Sequence, residues 1–101
     1  MATLNDEFLY QVFAIVEEIP LGTVATYGQI ARLSGHDKNT RLVGKALSLS
    51  EYFGKYPCHR VVSSQGRCAP GWFEQKDLLT QEGITFKENG CGDLRKHQWK
   101  M

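Results

Sequence analysis

A thiol and an imidazole stand side by side at Cys58-His59, inside the run Pro57-Cys58-His59-Arg60-Val61-Val62. Cysteine is a strong nucleophile only as the thiolate, and a nearby histidine is one of the groups that favours that form. Pro57 keeps the chain extended on entry, and the two valines favour a strand on exit. Cys58 is therefore expected at the mouth of a strand, held by backbone rather than carried on a free loop. On its own the dipeptide fits a buried structural cysteine better, because free cysteine is among the most buried residue types. A zinc site is the other chemistry open to Cys58, Cys68 and Cys91 with His36, His59 and His97, but no Cys-x2-Cys pair supports it.

The chain has 101 residues, the size of one compact domain, and residues 1–101 are read as that single domain. No apolar run reaches the ~20 residues of a membrane span, and no basic-then-apolar leader opens the chain. Three unevenly spaced cysteines argue against a disulfide framework and for a reducing, intracellular setting. Net charge is only +1, yet the charges are sorted. Asp6, Glu7, Glu17 and Glu18 make the start acidic. From Lys38 to Arg67, the cations Lys38, Arg41, Lys45, Lys55, Arg60 and Arg67 face only Asp37 and Glu51. A basic middle is either a nucleic-acid footprint or a solvated surface; charge alone leaves both open.

The elements around the thiol follow from periodicity and punctuation. Phe8, Val12, Ile15, Val16 and Ile19 form one apolar stripe, which predicts a helix over 5–19, capped by Asn5 and stopped by Pro20-Leu21-Gly22. Thr26-Tyr27-Gly28-Gln29 reads as a capping box opening a second helix that ends near Ser34-Gly35. A third helix is expected from Thr40 to about Leu49, with Leu42, Val43, Ala46 and Leu47 inward and Arg41, Gly44, Lys45 and Ser48 outward. Two short helices joined by a tight turn match a helix-turn-helix. Gly44 leaves a flat spot where a backbone can come close. A helical hairpin that merely packs on the core has the same pattern. After a loop over 50–56, a strand is expected at His59–Ser63, a turn at Ser64-Gln65-Gly66 and a return strand at Arg67-Cys68. Trp72 to Gln81 reads as a helix burying Phe73, Leu78 and Leu79, closed by Gly83. Ile84–Phe86 is extended, and Leu94 and Trp99 dock the last segment. The fold class expected is a small α/β domain, mainly helical, with a winged helix-turn-helix-like motif and a short β-hairpin.

In this order, Thr26-Tyr27-Gly28-Gln29-Ile30-Ala31, Arg41-Leu42-Val43-Gly44-Lys45-Ala46-Leu47, Pro57-Cys58-His59-Arg60-Val61-Val62 and Glu82-Gly83 resemble the DNA-binding and catalytic domain of the O6-alkylguanine-DNA alkyltransferases. The resemblance runs from about Phe8 to Trp99, and four ordered blocks are far more specific than one. It implies that Cys58 accepts the alkyl group, that His59 draws off the thiol proton through a water, and that Glu82 orients the imidazole. Charge logic agrees, since a carboxylate favours imidazolium and imidazolium favours thiolate. It further implies that Arg41 fills the gap left by a flipped base and Tyr27 crowds the backbone phosphate. The Val61 carbonyl would read the guanine edge, and Gly44 and Ala46 would lie in the minor groove. Lys45, Arg60 and Arg67 would contact phosphate. The implied partner is duplex DNA carrying O6-alkylguanine, bound by a monomer without cofactor or metal; downstream repair proteins are possible further partners, and a membrane is not.

The departures matter as much. The length is that of the short single-domain form, which includes alkyltransferase-like proteins that bind the lesion and flag it for another repair pathway, often with Trp at the acceptor position. Here Cys58 is present. The Asn that braces the site in the full enzymes is absent, with Ser48 and Ser50 nearest. Ala69-Pro70-Gly71-Trp72 replaces a longer loop, so Trp72 is expected to line or partly close the pocket. Two functions stand. One is single-turnover transfer to Cys58, as a methylated-DNA–protein-cysteine S-methyltransferase; the other is lesion binding with little or no transfer. A helix-turn-helix regulator with an unrelated thiol is a third, and a cysteine hydrolase has no oxyanion-hole pattern to support it.

Overall fold

A computed structural model describes residues 6–101. In chain order it contains α1 (Asp6–Glu17), β1 (Ala25–Thr26), α2 (Tyr27–Leu33), α3 (Thr40–Ser48), β2 (Val61–Val62), α4 (Glu74–Gln81) and α5 (Leu94–His97), with single 3-10 turns at Ser50–Tyr52 and Cys58–Arg60. The Asn5 cap lies outside the described residues. Helix α1 buries Phe8, Leu9, Val12, Phe13 and Val16. Its last turn tightens, with Glu18 and Ile19 amides donating to the Ile15 and Val16 carbonyls three residues back. Ile19 is buried just beyond the helix, while Ile15 is only half-buried.

The capping box forms as expected. The Gln29 amide donates to Thr26 Oγ1 at 3.1 Å, and the Thr26 amide donates to Gln29 Oε1 at 3.3 Å. Helices α1, α2 and α3 then enclose one core, which includes Ile30, Ala31, Val43, Ala46 and Leu47. A smaller core of Val24, Val62, Leu79 and Ile84 lies under α4.

The sheet differs from the expected hairpin. β1 and β2 pair in parallel, Ala25 opposite Val61 and Thr26 opposite Val62. Parallel strands need a crossover, and the α2–α3 pair supplies it. On the other side of β1, the Val24 amide donates to His97 O (2.9 Å) and the Trp99 amide to Val24 O (2.7 Å). The strand nearest the helix-turn-helix is thus central, flanked by β2 and by the C-terminal segment. No return strand forms at Arg67-Cys68. The Ser63 hydroxyl accepts from the Gln65 and Arg67 amides and rounds the chain into a compact turn. That turn is held by the distant Gly92 amide, which donates to Gly66 O at 2.8 Å. Gly66 has φ +87°, and a Cβ there would run into the Gly92 carbonyl.

Helix α4 starts at Glu74, after Phe73, which is 88% exposed rather than buried as expected. Gln75 takes the inward position instead. No described helix is long and apolar enough to cross a membrane. Gly66→Ala combines a left-handed backbone with a backbone collision, so it is expected to cost about 2–3 kcal/mol. Urea unfolding measures this, and a loss under about 0.5 kcal/mol, the scale of a neutral surface change, would refute the Gly66–Gly92 contact.

Candidate active and nucleic-acid site

The cysteine sits at the mouth of a strand, as expected, but His59 and Arg60 stay in a turn and the strand is only Val61–Val62. Cys58–Arg60 is a 3-10 turn, with the Cys58 amide donating to Tyr56 O and the Arg60 amide to Pro57 O. Three residues per turn space successive side chains about 120° apart, whereas a strand would alternate them between two faces. The turn therefore sends Cys58 toward one side and lets His59 and Arg60 converge on another group. That group is Glu82, at the C-terminal cap of α4, followed by Gly83 at φ +93°.

Glu82 is shared. Arg60 grips it with a two-point fork, Nε to Oε1 at 2.8 Å and Nη2 to Oε2 at 3.0 Å. His59 Nε2 lies 2.7 Å from Oε2. Arg60 Nη1 also donates to Ile19 O at 3.0 Å, tying the cluster to the end of α1. The Arg60 hydrogen bonds hold the Glu82 carboxyl below its ordinary value; burial opposes them, and His59 adds to them. An ionised Glu82 can only accept, so the proton between the two groups belongs to His59 Nε2, and Nδ1 is the nitrogen left for other work. The expected His59–Glu82 pairing is present. The phosphate contact expected of Arg60 is not its geometry, because the guanidinium is turned inward onto Glu82 and Ile19.

Gln75, which sequence reasoning did not single out, fixes this turn from beneath. It is fully buried. Its Oε1 accepts from the Ala69 amide at 2.7 Å, and its Nε2 donates to His59 O at 3.0 Å and Val61 O at 2.9 Å. Both ends of its amide are thus spent on the Cys58 turn and the loop opposite. The Val61 carbonyl, expected to read the base, accepts from Gln75, and Val61 lines neither cavity beside Cys58.

Cys58 is 8% exposed and opens on two cavities. The larger, about 620 Å³, includes Ser50, Tyr56, Pro70 and Trp72; the smaller, about 230 Å³, includes Tyr27, Gly44 and Ala69. Leu47, Ser48 and Trp72 belong to both, so α3 and the short 69–72 loop meet over the sulfur. Tyr56 stacks on Phe13 at 4.6 Å between centroids, so α1 supports the far wall. Burial pushes the Cys58 thiol up from its ordinary value, and the Ser50 hydroxyl pulls it part of the way back. This direction is opposite to that of an activated thiol. The Tyr27 phenol is also pushed up, chiefly by burial and then by the nearby Cys58 and Cys68.

On α3, Arg41, Lys45 and Ser48 are exposed, and Gly44 is half-buried with Tyr27 beside it. Ala46 is corrected: it is wholly buried in the three-helix core and cannot lie in a groove. Arg67 is exposed but lines a separate cavity with Lys87 and Arg95. All three cysteines are free, and among the described residues no three His, Cys, Asp or Glu side chains gather as a metal-holding group.

Fold and cleft together define the class: a small helix-turn-helix domain whose second helix shares a cavity with a cysteine. The chain belongs to the 6-O-methylguanine DNA methyltransferase family, whose DNA-binding-domain model matches residues 7–84. It is 42% identical to a DNA base-flipping protein of Vibrio parahaemolyticus, over 94% of this chain and 98% of that one. It is 33% identical to the methylated-DNA–protein-cysteine methyltransferase of Cricetulus griseus, over 89% of this chain but 46% of that one. Its structure matches that of S. pombe Atl1 in complex with damaged DNA containing O6-carboxymethylguanine, with a TM-score of 0.84, 34% identity, and coverage of 98% of this chain and 100% of that one.

Glu82 ties stability to pH. Because its folded pKa lies below the ordinary 4.5, its contribution is complete above that value and is lost as pH falls through the folded pKa. Glu82→Gln should cost about 2 kcal/mol at neutral pH, less than a fully buried broken pair because the carboxylate keeps some solvent contact. It should also flatten the fall in unfolding free energy below pH 4.5. Urea titrations at stepped pH measure both, and an unchanged acid slope would remove Glu82 from its place at the centre of the cluster.

Proposed function

We propose that this protein binds O6-alkylguanine in double-stranded DNA, turns the damaged base out of the helix into the Cys58 cleft and holds it there. Transfer of the alkyl group is slow or absent. The observation that carries this reading is the seating of Cys58, 8% exposed, on cavities bounded by α3; the upward push of burial on its thiol is in keeping with slow transfer. The kinship with proteins named for base flipping and alkyltransferase-like behaviour supports the same reading.

The energetics are those of base flipping. Extrusion costs a few kcal/mol, and less for a base already mispaired by its alkyl group. In this reading Arg41 fills the vacated stack, and its exposure in the first turn of α3 supports that role. Gly44 lets the helix approach the groove, and Tyr27 beside it crowds the phosphate of the rotating nucleotide. Lys45 adds sequence-independent attraction that weakens with salt. The bound lesion would then mark the site for another repair pathway.

A second reading has its own observation, the intact His59–Glu82 pair. In it, the Cys58 thiol gives its proton to His59 Nδ1 through a water. The thiolate then attacks the alkyl carbon, and the carbon–oxygen bond breaks with its electrons left on guanine. The thioether on Cys58 is permanent, so each molecule acts once.

Intact mass after incubation with O6-methylguanine duplex separates the two. Tight binding with no gain in mass over hours is the expected outcome at neutral pH, and a methyl adduct on Cys58 forming as fast as binding would overturn it. Any residual adduct should form faster as pH rises, because the raised thiol ionises only above its ordinary range. Arg41→Ala should weaken lesion duplex by about tenfold, roughly 1.4 kcal/mol, and single strands far less. Equal losses on both substrates would rule out the finger role.

A further inference from the structure

A second cleft has the capping-box residues Thr26 and Gln29 in its wall. It measures about 490 Å³ and runs between the start of α2, at Thr26, Gly28 and Gln29, and the C-terminal segment from Leu94 to Met101. Three cations line it, Arg32, Arg95 and Lys100, and no acidic side chain does. Its walls are tied together. Arg32 Nη2 donates to Met101 O at 2.6 Å, and Gln29 Nε2 donates to Trp99 O at 2.6 Å. Gln98 Nε2 donates to Gln29 Oε1 at 3.1 Å. Arg95 and Lys100 are exposed and form no ion pair among the described residues. Arg95 also lines the next cavity, with Arg67 and Lys87 against the single carboxylate Asp93.

We propose that this cleft is a phosphodiester site, through which the DNA backbone beyond the lesion runs along the C-terminal segment. The inference rests on the DNA-binding reading above and extends it. Charge is the first argument: Arg95 and Lys100 face no acidic side chain in the cleft, which suits a polyanion, and neither gives up an ion pair on binding one, whereas Arg32 is already held by Met101 O. Continuity is the second. Tyr27 lines the cavity it shares with Gly44 and Cys58, and the next residue, Gly28, lines the cationic cleft. A strand whose phosphate is crowded at Tyr27 therefore passes directly into this groove. The bonds from Gln29 and Arg32 hold the groove's outer wall in place before DNA arrives.

The test is the salt dependence of binding to undamaged and to O6-methylguanine duplex, followed by fluorescence anisotropy. Arg95→Gln and Lys100→Gln should each lower the slope of log affinity against log salt by about 0.9, the release expected for one phosphate contact. Both should weaken the two duplexes equally and leave the preference for the lesion unchanged. Lys76→Gln serves as control, since Lys76 sits over the Phe86 ring on α4, away from this groove. Unchanged slopes in both variants would overturn the inference, as they would for a groove built for an acidic protein. An equal drop in Lys76→Gln would also overturn it, by reducing the effect to net charge. Failure of the underlying reading looks different: the unaltered protein would then show no preference for the lesion at all.

Discussion

One carboxylate organises this domain. Glu82 receives a fork from Arg60 and a hydrogen bond from His59, and Arg60 reaches on to the end of α1 at Ile19. The cap of α4, the cysteine turn and the first helix are thereby fastened at one point. The energetic character of such a cluster is asymmetric. Replacing the whole group by apolar side chains can be close to neutral, but removing one member leaves a charge stranded. That asymmetry makes the cluster a device for fixing geometry more than a source of net stability. The geometry it fixes is the 3-10 turn that aims the Cys58 sulfur at α3.

Burial and activation pull the thiol in opposite directions. The cavity surrounds the sulfur with Leu47, Trp72 and Tyr56, and those walls disfavour the thiolate. An imidazole can offset this by taking the thiol proton, and the bond from His59 Nε2 to Glu82 leaves Nδ1 as the nitrogen that could do so. Two relatives illustrate the two uses of the architecture, one named as a base-flipping protein and the other as a cysteine methyltransferase. In this chain the hydroxyl of Ser50 is the polar group that bears on the sulfur. The state of this one sulfur is set by burial against a few polar contacts.

What the sequence revealed was mostly local. The capping box at Thr26–Gln29, the limits of α3 and the glycine after Glu82 follow from backbone chemistry within four residues, and each is present. The association of His59 with Glu82 was legible only through the family's ordered blocks, since 22 residues separate them. The parallel pairing of β1 with β2 was not legible, because two-residue strands carry no periodicity and Val61-Val62 suits either partner. Gln75 gave no signal either: a glutamine on a short helix reads as surface, and only its three hydrogen bonds make its burial tolerable. Arg60 and Ala46 show the limit of reading roles by position. The first is consumed by an internal partner, and the second is placed in the core by the 3.6-residue turn that exposes its neighbour Lys45.

The central place of β1 has a consequence for how the domain comes together. Residues 24–26 hydrogen-bond to the region of residues 61–62 on one side and to residues 97–99 on the other, so the strand is complete only when segments far apart in the chain have met. Closing such long loops is what slows folding relative to a simple helical bundle. As the chain leaves the ribosome, the three N-terminal helices emerge long before the segment that braces Val24. Their core can collapse early, but the platform that carries the helix-turn-helix stays open along one edge until residues 97–99 have reached Val24.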